Sequence, residues 1–362
     1  MSAQLVRTCL MEPSFDWPAF LDYIRRERVS PLIYYSIGKW GILPPEISQA
    51  IQNDYLQTVV KNVRCEEELC QVLPLLERAG IPTILLKGGA LLFTLYDEEG
   101  LRPMADLDLL VPVEGFESAG HVLASYGYKE GLSSAIPADM VKEITYRKID
   151  FEVLDIDLHC SLFNPPHEVS VEQLIWFWKN ITISLREGVA FRTFNPTAQL
   201  LYLCAHLWLH HEGGNLLWQH DIDLLIRRHG PDIDWNEIIE ISASFELLIP
   251  LKKILPELVG VWKTPVPETI LLELARLETS VREQRKSGNS FTNNANYFEA
   301  FLNNMLSYPN WHSRLAYIRM IVLPPRRYIV ERYRVRSPLL VPYFYAYRLV
   351  STAIQQVRRM YF

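Results

Sequence analysis

Asp106 and Asp108 stand at i and i+2 at the head of an apolar run, Asp106-Leu107-Asp108-Leu109-Leu110-Val111. Side chains alternate across a strand, so both carboxylates fall on one face. Upstream, the run Ile84 to Leu86 meets Lys87-Gly88-Gly89, and a short helical pattern follows. Glycines at a strand-to-helix junction let the backbone approach a phosphate, and the helix start offers free N–H donors. Lys87 adds a point charge. Arg102, four residues before Asp106, is suited to hold a phosphate or a carboxylate through two parallel bonds. Downstream, Phe151-Glu152-Val153-Leu154-Asp155-Ile156-Asp157-Leu158-His159 repeats the acidic alternation. Three carboxylates, Asp106, Asp108 and Asp157 (or Asp155 in its place) on a nearby antiparallel strand, can converge on a magnesium or manganese ion. Such an ion takes hard oxygen ligands and keeps substrate phosphates in its shell. Two ions about 4 Å apart can orient an attacking hydroxyl and stabilise a leaving pyrophosphate. His159 shares the face of Asp157 and is placed to orient a carboxylate.

Plainer roles exist for each. Aspartates next to strands are often turn or surface groups, a Gly-Gly pair can be only a tight turn, and Arg102 can tie down its loop. His206 and His210 are four apart on a helical pattern. No HExxH occurs and their surroundings are rich in Leu and Trp, so a hydrogen-bonded packing role is expected. Asp221, after Trp218, reads as an interdomain bond or a helix cap. GxSxG, GxxxxGK[ST] and GxGxxG are all missing.

The elements that must position these groups follow from periodicity. Residues 1–80 read as helical, with Pro18 near a helix start after Asp16, a break at Pro44-Pro45, and a long helix from Ile47 to Ala79. Pro74 is placed to kink it, and Gly80 with Pro82 to stop it. Residues 81–165 alternate short strands and helices: Thr83–Leu86 and Asp106–Val111 as strands, Gly89–Tyr96 and Glu114–Ser125 as helices, Val141–Lys148 and Phe151–His159 as a strand pair. From residue 166 to 362 the pattern returns to helix, including Thr197–His211, Leu216–His229 and Glu237–Leu255. The polar segment 283–296 reads as a mobile loop. The expectation is an α+β protein with a small mixed β-sheet core at 81–165. An N-terminal helical region (1–80) and a C-terminal helical region (166–362) with a basic aromatic tail flank it.

Composition narrows the class. Apolar residues make up 49% and charged residues 22% of 362 residues, as in ordinary globular proteins. Five scattered cysteines without a CxxC argue for reduced thiols and a cytoplasmic setting, and against a disulfide framework or zinc site. No secretory leader is visible and no run approaches the roughly 18 apolar residues of a membrane span. Charge is uneven: residues 313–362 carry ten Arg and one acidic residue, so a net charge of −6 leaves −15 on the remainder. Such a tail either pairs with the acidic body or meets an anionic surface or RNA.

The block Leu85-Leu86-Lys87-Gly88-Gly89-Ala90-Leu91-Leu92, then Leu101-Arg102-Pro103-Met104-Ala105-Asp106-Leu107-Asp108-Leu109-Leu110-Val111, then Ile156-Asp157-Leu158-His159, then His206 and Trp218 with Asp221, resembles the bacterial uncharacterised nucleotidyltransferase family. That family belongs to the DNA polymerase beta-like superfamily. The resemblance covers about residues 50–230 and implies an enzyme moving NMP from an NTP such as ATP to an acceptor, with release of pyrophosphate. It implies Gly88 and Gly89 as the triphosphate turn, Asp106 and Asp108 as paired ligands of two magnesium ions, and Asp157 as the third carboxylate. Two features depart from the superfamily pattern. Sixteen residues separate Gly89 from Asp106, against about ten usually, and the turn carries Gly where a Ser hydroxyl is common. The alternative within the resemblance is an inactive nucleotidyltransferase-like binding protein, of antitoxin type or serving a biosynthetic partner. The acceptor and the base preference are not readable from the residues.

Overall fold

Strand β2 (Asp106–Leu110) divides the molecule by alternation. Leu107 and Leu109 point into one apolar core with Leu69, Val72 and Leu76. Leu110 points to the opposite core, built around Leu200, Leu201 and Leu203. Asp106 and Asp108 share the Leu110 face, where the second core gives way to a polar cavity.

This is a computed structural model, and it describes residues 3–131, 142–148, 154–163, 170–211, 213–288, 302, 305–306, 311–335 and 337–361. A seven-stranded mixed sheet runs in the order β3-β4-β5-β2-β1-β7-β6. Its strands are β1 (Ile84–Leu85), β2, β3 (Tyr128–Glu130), β4 (Glu143–Lys148), β5 (Leu154–His159), β6 (Ile181–Arg186) and β7 (Val189–Phe194). The fold is α+β, as the sequence pattern implied. Helices α1 (Ala3–Leu10), α2 (Trp17–Arg26), α3 (Ser30–Ile37) and α4 (Pro45–Arg78) precede the sheet. Gly80 ends α4 in the left-handed region at φ +72°, and Ile81 N donates back to Leu76 O at 2.9 Å. That is the closure a helix-stopping glycine permits. Helices α5 (Lys87–Leu95) and α6 (Phe116–Ser125) are the crossovers, and α7 (Val171–Lys179) leads to the β6–β7 hairpin. The helices α8 (Pro196–His211), α9 (Leu216–His229), α10 (Trp235–Ser244), α11 (Leu248–Trp262), α12 (Glu268–Arg276) and α13 (Val281–Gly288) follow. Among the described tail residues, α14 (Trp311–Val322), α15 (Arg326–Arg332) and α16 (Val341–Tyr361) complete the chain. No described helix is long and apolar enough to cross a membrane.

Four expectations need correcting. The strand carrying Asp157 is parallel to β2, not antiparallel: Asp106 pairs with Asp155, Asp108 with Asp157, and Leu110 with His159. The intervening α6 and the β3–β4 hairpin return the chain so that it runs in the same direction. This puts the two acidic alternations in step on one face. Residues 181–194, read as part of a helical region, form a hairpin that extends the sheet past residue 165; β7 lies parallel to β1. The helix expected at Glu237–Leu255 is two helices, broken near Glu246 at φ +58°. Of the 283–296 loop, residues 289–296 lie outside the described residues, and 281–288 are helical. Residues 141 and 151–153 of the expected strand pair also lie outside.

The long connection from α5 to β2 is fastened to α4. Asn62 Nδ2 donates to Glu99 O at 2.6 Å and to Arg102 O at 2.8 Å. A Cβ on Gly100 would collide with the Tyr55 ring and lie 2.7 Å from Val59 Cγ2. Gly100→Ala is therefore expected to destabilise the fold by about 2–3 kcal/mol through overpacking. Urea unfolding checks this, and an unchanged midpoint would refute the tight seating.

Candidate active site

Lys87 opens α5 at φ +43°, a strained value for a side-chain-bearing residue. Its Nζ donates to Asp108 Oδ1 at 2.6 Å. His159 Nε2 lies 2.9 Å from the same oxygen. A carboxylate can only accept, so Nε2 carries the proton in this arrangement. Asp108 is 3% exposed. Burial alone would raise its pKa, but Lys87 and the His159 bond outweigh that and hold it well below the usual carboxylate range. Lys87 is the mirror case. Burial opposes its charge, and the charge of Asp108 more than restores it.

Asp106 behaves in the opposite way. Burial, then the charges of Asp108 and Asp157, push its carboxyl up to about 6. Asp157 is also raised, chiefly by burial, although the Thr145 hydroxyl donates to it at 2.7 Å. Asp155 and Asp157 differ in their partners. Asp155 is held by both Nε and Nη2 of Arg147, at 2.8 and 2.7 Å. Asp157 instead joins Asp108 and His159 in a group whose ligand atoms lie within 4.8 Å of one another. Two carboxylates and an imidazole at that spacing suit a divalent cation, and the nitrogen donor widens the choice from magnesium toward manganese or zinc.

Asp108 and His159 border a cavity of about 400 Å³ that also reaches Lys87, Gly88, Arg102 and Asp106, while Asp157 stands behind them and does not line it. A Cβ on Gly88 would sit 2.7 Å from Arg102 Nη1, so only glycine lets the turn approach that arginine. Gly89 turns the other way: a Cβ there would meet Leu85 Cδ1 at 2.9 Å, so its smallness serves helix-to-strand packing. Arg102 donates through Nε and Nη2 to Asp221 at 2.9 and 2.7 Å. Asp221 thus ties α9 to the loop before β2. Arg102 spends two of its donors on that bond while still lining the cavity.

The far wall comes from α8 and α9. His206 and His210 stack at 4.9 Å, and His211 lies 3.8 Å from Trp218 between ring centroids. The rings pack as expected, but the expected hydrogen bonding is incomplete: His206 Nδ1 and His210 Nε2 are buried without a hydrogen-bond partner among the described residues. Burial, then the Lys87 charge, depresses His206 strongly and His210 to about 4; burial, then His210, takes His211 to about 4. Between pH 6.5 and 4 the unfolded chain takes up these protons and the fold does not, so stability falls with acidification. Asp106 works against this, since its raised pKa favours the fold as pH drops below about 6. Asp157 is raised as well and acts in the same sense as Asp106, so three depressed imidazoles stand against two raised carboxyls and leave a net loss. For His210 alone, a fall from 6.5 to about 4 corresponds to a loss on the order of 3 kcal/mol at the acid end. His210→Gln is expected to flatten the dependence of Tm on pH; an unchanged slope would refute it.

The sequence reading missed Arg28, His211 and Trp218 as cavity residues. Trp218 entered only through the family resemblance and was given no role there; Arg28 and His211 carry no motif, and all three reach the cavity through tertiary packing.

The antibiotic-resistance factor ANT(2'')-Ia shows 11% identity over 51% of this chain and 92% of its own, at a TM-score of 0.36. An antigenic nucleotidyltransferase-like protein from Paracoccidioides brasiliensis shows 15% identity over 60% of this chain and 96% of its own, at 0.35. Neither likeness is close enough to carry an argument about the site. No curated protein matches the chain. The family model described as uncharacterised nucleotidyltransferase matches residues 13–255, and the chain belongs to that family.

Proposed function

We propose that the protein is a divalent-metal-dependent nucleotidyltransferase that moves NMP from an NTP to an acceptor and releases pyrophosphate. One observation carries the reading: the parallel register of β2 and β5 assembles Asp108, Asp157 and His159 into a cation-sized donor group beside the Lys87–Gly88 helix start. Asp106, Asp108 and Asp157 would hold magnesium or manganese, with His159 as a fourth donor. The bound ion would supply charge neutralisation at the reacting phosphate. The first residues of α5, Lys87, Gly88 and Gly89, would offer their free backbone N–H groups to the triphosphate. Arg102 borders the same space. Raised pKa values at Asp106 and Asp157 suit groups that exchange a proton for a cation or accept one from a hydroxyl. Positioning and charge placement make up most of the catalysis in such a reaction.

A second reading is favoured by the Lys87–Asp108 contact at 2.6 Å, which already balances Asp108 with a cation. A nucleotidyltransferase-like binding protein would keep that pair permanently. Incubation with each labelled NTP, magnesium or manganese and a cell lysate separates the two. Metal-dependent labelling of an acceptor supports the transferase. No labelling, with no NTP-dependent thermal shift, supports the binding protein. The basic tail remains a proposed contact for RNA or an anionic surface, to be tested by salt-sensitive binding.

A further inference from the structure

Arg28 is a cation beside the site that forms no direct ion pair among the described residues. It follows α2 in the left-handed region at φ +59°, where glycine is the usual residue after a helix. Arg28 N donates to Arg25 O at 3.0 Å and Val29 N to Ile24 O at 2.9 Å, closing the helix end. The turn is pinned on both sides. Glu27 accepts from Leu216 N at 3.0 Å at the start of α9, and Arg28 Nη2 donates to Pro103 O at 3.0 Å. That carbonyl is the only side-chain hydrogen-bond partner of Arg28 among the described residues, and no described carboxylate forms an ion pair with it.

The neighbouring cations are matched. Lys87 pairs with Asp108, Arg102 with Asp221, and Arg25 with Asp54. Burial and the adjacent Arg102 charge oppose the charge on Arg28 and outweigh the attraction of the Asp106 and Asp221 carboxylates, neither of which bonds it directly. A partly buried guanidinium with one carbonyl partner is costly unless an anion completes it.

Arg28 also stands where two cavities meet. It lines the cavity of the candidate active site, and with Met104 it lines a second cavity of about 280 Å³ between α3 and α4. The acid there, Asp54, is taken up by Arg25 and by the Ser30 hydroxyl at 2.5 Å. Lys61, exposed at the rim, forms no ion pair among the described residues. Arg28, which lines both cavities, and Lys61, which lines the second, are thus cations without a direct ion pair among the described residues.

We propose that Arg28, supported by Lys61, is an anion-binding subsite beside the metal cluster, taking a phosphate or similar oxyanion group of a substrate. The existence of the subsite stands on Arg28 alone. The source of the anion rests on the transferase reading, being either the far phosphates of the nucleotide or an anionic group of the acceptor. Arg contacts such groups through paired, charge-assisted bonds.

Calorimetric titration of the full chain with magnesium and tripolyphosphate, ATP or orthophosphate tests it. Arg28→Gln and Arg28→Gly are expected to weaken tripolyphosphate or orthophosphate binding at least tenfold, Arg28→Lys to recover part, and Lys61→Gln to have a smaller effect. Arg28→Gly places the preferred residue in a left-handed slot, so its Tm is expected to be no lower than that of the wild type. Lost binding then reflects a lost contact, and Arg28→Gln serves if the glycine variant fails to fold. Parallel loss of ATP affinity assigns the subsite to the nucleotide. Retained ATP affinity with lost orthophosphate binding assigns it to the acceptor. The proposal is overturned if the wild type binds neither inorganic anion, or if both Arg28 variants bind them as the wild type does. Failure of the transferase reading looks different: anions still bind through Arg28, but no nucleotide is transferred.

Discussion

Asp108→Asn is expected to lower nucleotide transfer at least about a thousandfold, or roughly 4 kcal/mol of transition-state stabilisation, and to destabilise the metal-free fold by about 2–4 kcal/mol. Both effects come from one oxygen. Asp108 Oδ1 receives Lys87 at 2.6 Å and His159 at 2.9 Å, and the side chain is nearly sealed from water. An amide keeps the shape but removes the charge, leaving Lys87 partly buried and unbalanced. Asp106→Asn is the informative contrast. The Asp106 carboxyl is pushed up to about 6, so its ionised form opposes folding at pH 7. Its pKa exceeds the unfolded value, so the stability it contributes is present in acid and lost as pH rises through 6. The amide removes that penalty, and Asp106→Asn is expected to be as stable as the wild type or more so at pH 7, while still losing transfer. Urea unfolding without metal, paired with manganese titration of each variant, reads both predictions. A stable, active Asp108→Asn would sink the assignment of that residue.

What the residues disclosed follows from how local each signal is. Alternation over Asp106–Val111 and Leu154–His159 gave both acidic strands, because a period of two needs only a few residues to register. The Gly80 stop, the α4 span and the α5 start were equally local. The direction of β5 was not, since it depends on what the chain does between residues 111 and 154. Nor was the hairpin at 181–194. Ile183 and Leu185 are exposed, while Phe191 is buried in one core and Phe194 in the other, so the apolar pattern does not separate the hairpin from helix. At the site, the carboxylates were legible and their partners were not. Lys87 was read as a phosphate ligand, yet it bonds Asp108 across 21 residues. Arg28 comes from the N-terminal helices, far from every motif.

Arg102 and Asp221 illustrate the same limit with the largest expected effect on stability. They lie 119 residues apart and are 5% and 1% exposed, joined by two parallel bonds. Tyr96 adds its hydroxyl to Asp221 at 2.7 Å and lies 3.0 Å from His220 Nδ1. The pair locks the loop before β2 to α9, and therefore the acidic strand to the histidine wall. Truncating one partner strands a buried charge, so Arg102→Ala or Asp221→Ala is expected to cost about 3–5 kcal/mol. The double replacement Arg102→Met with Asp221→Leu strands neither charge and fills the volume, so it is expected to cost far less than the sum. A urea-unfolding cycle in which the double variant costs as much as both singles together would refute the coupling. The same double variant separates two roles of Arg102. If the guanidinium serves only to hold α9 in place, the refolded double variant transfers nucleotide near the wild-type rate. If its Nη1, which faces Gly88 at the start of α5, also meets a phosphate, stability returns while KM for the nucleotide stays raised. Stability and substrate affinity therefore move together in the first case and apart in the second.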